Sequence, residues 1–99
     1  MIYAVLYDYT RSTEKIAQVR PAHRHHLTKL LESGNLLAAG PCTDDSGALI
    51  IYQAEDETQL RTFIHDDPFH REGIFLRWQI RPWKPVFGNR ALLPDGPPA

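Results

Sequence analysis

Residues 36–54 read LLAAGPCTDDSGALIIYQA, and the place of this stretch in the chain decides the fold. Leu36–Gly40 is a short apolar run, and Ala48–Ala54 is a second one rich in β-branched and aromatic residues. Between them, PCTDDSG gathers the residues that favour turns, Pro, Asp, Ser and Gly. The stretch therefore reads as two antiparallel strands joined in a hairpin.

Toward the N-terminus, Gly34 stands where a left-handed residue closes a helix, and Pro21 suits the first position of one. These signals predict a main helix over Pro21–Ser33. A preceding helical turn, Glu14–Val19, is capped by Ser12 or Thr13. Ile2–Tyr9 (IYAVLYDY) is a strand expected to be buried on both faces at its centre. Toward the C-terminus, Glu55–Thr58 places acidic residues at the positive end of a second helix reaching His65. The segment DDPFHREG breaks that helix. In Ile74–Pro82, Leu76, Trp78 and Ile80 alternate with Arg77, Gln79 and Arg81, as in a strand with one buried face.

The order is β-α-β-β-α-β, an α+β fold of the ferredoxin-like type with an antiparallel sheet. Both helices fall on one face of such a sheet. The other face carries apolar side chains that need a cover, and a second copy of the chain supplies one, so a homodimer is expected. The domain spans residues 1–87. Residues 88–99, ending ALLPDGPPA, form a Pro-rich tail expected to be extended, poorly ordered or crossed onto a partner subunit.

The composition is that of one small globular domain, 99 residues with 42% apolar and 23% charged. A net charge of −1 gives no field to gather nucleic acid or anionic lipid. No apolar run approaches the ~20 residues of a membrane span. The N-terminal residues lack the basic start and small-residue cleavage site of a signal peptide. One cysteine, Cys42, cannot form an intrachain disulfide, so a cytoplasmic location is expected.

Three of the five histidines lie in RPAHRHH, residues 20–26. On a helical wheel with His23 at zero, Leu27 falls at about 40°, Leu30 at about 340° and Leu31 at about 80°. His26 lies on the flank of this apolar arc and His25 on the far side, so only His23 aims at the sheet. His23 and His26 have the spacing to share a metal, with a third ligand from His65, Asp66, Asp67 or His70. No HExxH or CxxC pattern accompanies them, and no metal is assigned. An inward His needs a partner for its ring nitrogens. It serves either as a satisfied core residue or as a proton-exchanging group held by a carboxylate. Asp67 precedes Pro68 and so marks a helix boundary, where its carboxylate is fixed near the sheet edge.

RPAH at 20–23, LLESGNLLAAGP at 30–41, the Asp-rich turn with Gly47, DPF at 67–69 and RPW at 81–83 occur in this order. The combination resembles the YCII-related family over roughly residues 1–87. The resemblance implies a dimeric α+β barrel built from ferredoxin-like chains, and a site made of a His–Asp pair, His23 and Asp67 by position. It also implies cofactor-independent proton chemistry on small ring compounds, of the dehydrochlorinase or lactone-isomerase type. In such a site Arg20, or Gly40 and the backbone after it, stabilises negative charge. Pro41 and Ser46 lie on the neighbouring turn, where Cys42 also approaches, and Phe69 walls the pocket with Tyr7 and Trp78. The expected ligand is a small molecule. The other readings are a non-catalytic module that binds one, and a structural or interaction domain in which the pair is merely buried.

Overall fold

The computed structural model describes residues 1–88, so the expected tail lies outside the described residues apart from Gly88. The elements are β1 (Ile2–Tyr9), α1 (Thr13–Glu32), β2 (Leu36–Pro41), β3 (Gly47–Gln53), α2 (Glu57–Asp66), the single-turn α3 (Pro68–Arg71) and β4 (Phe75–Trp83). The sheet order is β2-β3-β1-β4, and every neighbouring pair is antiparallel. This is the α+β, ferredoxin-like arrangement expected from the hairpin at the centre of the chain.

β1 runs down the middle and sets the core. Tyr3, Val5, Tyr7 and Tyr9 point to the helix side and are buried. Val5 lies between Ile50 and Ile80, and Tyr7 between Ala48 and Trp78. The opposite face of β1 is not buried within one chain, contrary to the expectation for its centre. The helices cover one side only, and Leu6, paired with Leu49, is 50% exposed. Gly47 opens β3 against Asp8, where a Cβ would collide with the Tyr7 carbonyl.

The helix expected to begin at Pro21 begins eight residues earlier, at Thr13, with Pro21 inside it. Ser12 is the N-cap, accepting a hydrogen bond from the Lys15 N–H. Proline removes the bond its N–H would give to the Ala17 carbonyl, an interior cost of roughly 3 kcal/mol relative to alanine. Ile16, His23 and Leu30 are buried seven residues apart, with Val19 and Leu27 packed beside them. One stripe thus crosses the proline in register, and its packing offsets the lost bond. Gly34, at φ +82°, ends the helix as expected. Its N–H bonds the Leu31 carbonyl and that of Asn35 bonds the Leu30 carbonyl, a Schellman closure.

The alternation expected along the last strand fails at Leu76. Asp8 pairs with Arg77 but Tyr9 pairs with Phe75, so Leu76 is the extra residue of a β-bulge. Phe75 turns into the core in its place, and Leu76 is left exposed. The bulge brings the Phe75 ring beside the site described next.

Candidate active site

His23 sits in the middle of α1, on the buried stripe, and is 6% exposed. Asp67 joins α2 to α3. Its extended backbone, φ −68° and ψ 128°, is the conformation imposed by the following proline. Its N–H bonds the Ile64 carbonyl, closing α2, and its Oδ1 accepts the Phe69 N–H at 2.9 Å, opening α3. Pro68 occupies the first position of that turn. The triplet Asp-Pro-Phe therefore ends one helix, starts another and fixes a carboxylate that is fully buried.

The two residues meet. His23 Nδ1 lies 2.8 Å from Asp67 Oδ1 and 2.9 Å from Oδ2. A carboxylate only accepts, so Nδ1 carries the hydrogen and donates it. The neutral imidazole is thereby held with Nε2 unprotonated. The Phe69 ring lies flat on the imidazole, with centroids 3.8 Å apart and planes within 2°, and Phe75 meets it edge-on at 6.2 Å. Phe69 thus fixes both members, His23 through its ring and Asp67 through its N–H.

No buried side-chain nitrogen or oxygen among the described residues lacks a partner. His23 Nε2 has none, so it is open to the cleft that His23 lines. This cleft, about 740 Å³, lies between α1 and the β2–β3 half of the sheet. Arg20 and Arg24 stand beside His23 on α1, and neither makes an ion pair among the described residues. Farther along, Leu27, Leu31, Leu36 and Ile50 give the cleft an apolar wall.

Of the other expected site residues, Arg20, Gly40, Pro41 and Phe69 line the cleft. Ser46 does not; its hydroxyl donates to Asp44 Oδ1 at 2.6 Å in the exposed hairpin turn. Cys42 and Trp78 are also absent from the lining. Tyr7 lies beneath the site rather than on its wall, its hydroxyl 2.6 Å from that of Tyr52. The backbone after Gly40 offers no free donor at two positions: Pro41 has no N–H, and that of Cys42 bonds the Gly47 carbonyl. Residues 23, 25 and 26 separate as the wheel requires. His25 is exposed, and half-buried His26 donates from Nε2 to the Phe63 carbonyl at 3.0 Å. Among the described residues no three His, Cys, Asp or Glu side chains are placed to hold a metal ion.

Sequence reasoning missed Tyr9, Arg24 and the leucines of α1 as cleft residues. Tyr9 ends the core face of β1, and its phenol is pushed up to about 12 by burial and by the nearby Asp67 carboxylate, against the pull of Arg20. Tyr7 and Tyr52 are raised further, first of all by burial.

Known proteins share this architecture and this sequence pattern. A solved structure of 5-chloro-2-hydroxyhydroquinone dehydrochlorinase from Burkholderia phenoliruptrix, in complex with 2,5-dihydroxybenzoquinone, superposes with a TM-score of 0.75. The likeness covers 85% of this chain and 94% of that one at 23% identity, and it is a likeness of fold. Protein YciI of Escherichia coli O6:H1 is 32% identical over 98 residues, covering 88% of this chain and all of the relative. An uncharacterized protein of Haemophilus influenzae is 29% identical over 98 residues. Residues 1–84 match the YCII-related domain, and the chain belongs to that family.

Proposed function

We propose that this protein is a cofactor-independent enzyme of the lyase or isomerase type, acting by acid–base chemistry on a small ring compound in the cleft. The observation that carries this reading is the buried His23–Asp67 pair with Nε2 open to the cleft. Nε2 takes a proton from a ring carbon next to a carbonyl. The C–H electron pair becomes a C=C bond, and the carbonyl π pair moves onto oxygen. Asp67 stabilises the imidazolium that results, and the Arg20 guanidinium faces the anion. The intermediate resolves in one of two balanced ways. Either His23 returns the proton to another ring atom, an isomerisation, or the oxygen pair re-forms the carbonyl and chloride is expelled, a dehydrochlorination. In the second case the C=C pair shifts to the adjacent carbon, chloride leaves that carbon with its bonding pair, and Nε2 passes its proton to water. The apolar wall of Leu27, Leu31, Leu36 and Ile50 suits the body of such a ring.

The test is a turnover screen with 5-chloro-2-hydroxyhydroquinone, other chlorinated ring acids and lactones, reading chloride release or loss of absorbance. Wild type is expected to turn over at least one class, with His23→Ala and Asp67→Asn each slower by about 10³-fold or more. Variants that keep full turnover, or a wild type inert to the whole panel, would contradict the proposal. A compound that raises the melting temperature without forming product would point to a binding module instead.

The chain is further proposed to act as a homodimer joined through the open sheet face. Leu6, Leu49 and Trp83 are exposed there and Ile51 lies among them, an apolar surface that a second sheet covers. A sedimentation mass of one chain at micromolar concentration would refute this. A reducing cytoplasm is the proposed location, in keeping with the free thiol of Cys42.

A further inference from the structure

Three polar groups line the cleft without a hydrogen-bond partner or ion pair among the described residues: His23 Nε2, the Arg20 guanidinium and the Tyr9 hydroxyl. Two have roles above; Tyr9 has none. Its residue is 9% exposed, and its ring is held edge-on against Phe69 at 5.5 Å and stacked toward Phe75 at 6.0 Å. Those two rings also hold the imidazole, at 3.8 Å and 6.2 Å. Tyr9 and His23 are therefore fixed by the same pair of neighbours, and both line the cleft. Since no buried side-chain oxygen among the described residues lacks a partner, the unpartnered Tyr9 hydroxyl is open to solvent at the cleft and available to a ligand.

We propose that the Tyr9 hydroxyl is a catalytic hydrogen-bond donor which, with the Arg20 guanidinium, binds the substrate oxygen that becomes negative when His23 Nε2 removes a proton. The substrate class follows as a ring bearing a carbonyl oxygen, that of a ketone, a quinone or the keto tautomer of a phenol, next to the reacting carbon. This deepens the enzyme reading and rests on it. Chemically, the carbonyl oxygen gains an electron pair while Nε2 gains the proton. The Tyr9 O–H stays covalent, and its bond strengthens as charge develops. With its phenol raised to about 12, Tyr9 remains a donor throughout the neutral range. The backbone after Gly40, with Pro41 lacking an N–H and that of Cys42 engaged, leaves the role to side chains.

The test uses 4-nitrophenol, whose phenolate carries its charge on oxygen and absorbs differently from the phenol. Wild type should bind the phenolate in preference to the phenol. Tyr9→Phe, which keeps the ring and its stacking, should weaken phenolate binding by about tenfold or more and leave the melting temperature unchanged. Arg20→Gln should weaken it similarly. Equal binding by wild type and Tyr9→Phe, or no phenolate binding by wild type, would overturn the proposal. This titration needs no turnover. A protein that binds nitrophenolate through Tyr9 but acts on no ring substrate sinks the enzyme reading and leaves Tyr9 as an anion ligand. Where turnover is found, Tyr9→Phe should lower kcat by about 10²-fold or more with KM little changed, and an unchanged kcat sinks the catalytic role of Tyr9 alone.

Discussion

Asp67→Asn separates the chemical role of the pair from its structural one. Nδ1 of His23 lies almost equidistant from the two carboxylate oxygens, at 2.8 and 2.9 Å, and Oδ1 also accepts the Phe69 N–H at 2.9 Å. An asparagine in this position keeps its oxygen on the Phe69 N–H, which caps α3. Its amide NH₂ then faces Nδ1, and two donors cannot share that space. The imidazole must turn to the other tautomer, with Nδ1 accepting and Nε2 protonated. The cap survives, and a neutral bond worth roughly 0.5–1.5 kcal/mol replaces a charge-assisted one worth about 1.5–3. Removing a buried charge also returns part of its desolvation cost. Net stability should therefore change by no more than about 2 kcal/mol, while proton abstraction by Nε2 falls by about 10³–10⁴-fold. Urea denaturation reads the first quantity, and ¹⁵N NMR of the imidazole reads the tautomer. A variant that retains the Nδ1–H tautomer and full turnover would refute the reasoning. For contrast, Asp67→Ala leaves both donors unmet in a buried site and should cost about 3–5 kcal/mol.

Gly47→Ala should lower stability by about 2–3 kcal/mol, because the new Cβ meets the Tyr7 carbonyl and β1 and β3 must separate; an unchanged denaturation midpoint would contradict the pairing at Asp8 and Gly47. Pro21→Ala restores a backbone donor inside α1 and should raise stability by about 1–2 kcal/mol, less than the full proline penalty because the unfolded chain is also freed; calorimetry checks the sign. Stability should also fall at alkaline pH. Burial raises the phenols of Tyr7 and Tyr52 above their ordinary value of 10.0, so the unfolded chain loses those protons first. Their contribution is intact below about pH 10 and is lost as pH rises beyond it, by about 1.4 kcal/mol per pH unit for each phenol still protonated in the fold. Tyr7→Phe should flatten that decline, as read from urea midpoints between pH 9 and 11.

What the sequence discloses and what it withholds divide along physical lines. The hairpin at 36–54, the Gly34 cap and the inward turn of His23 depend on local composition and period, and they are legible residue by residue. The Asp67 carboxylate is legible as a boundary residue through Pro68, but its meeting with His23 joins residues 44 positions apart and rests on family resemblance. Pro21 misleads because a local breaker signal is outweighed by a stripe of packing along α1 that no local rule counts. Leu76 misleads because one extra residue in a strand reverses the alternation, and only the pairing partner reveals it. Tyr9 is hidden in a run that reads as core. It is core along its ring, yet as the last residue of β1 it also lines the cleft.

The central claim is that His23 Nε2 moves a proton to and from a ring carbon. The most direct measurement is proton NMR of a ring substrate bearing an exchangeable C–H next to a carbonyl, incubated with the protein in D₂O. Wild type should place deuterium on that carbon, and His23→Gln should reduce the rate by about 10²-fold or more. Exchange no faster than in buffer, or equal exchange by wild type and His23→Gln, would contradict the account.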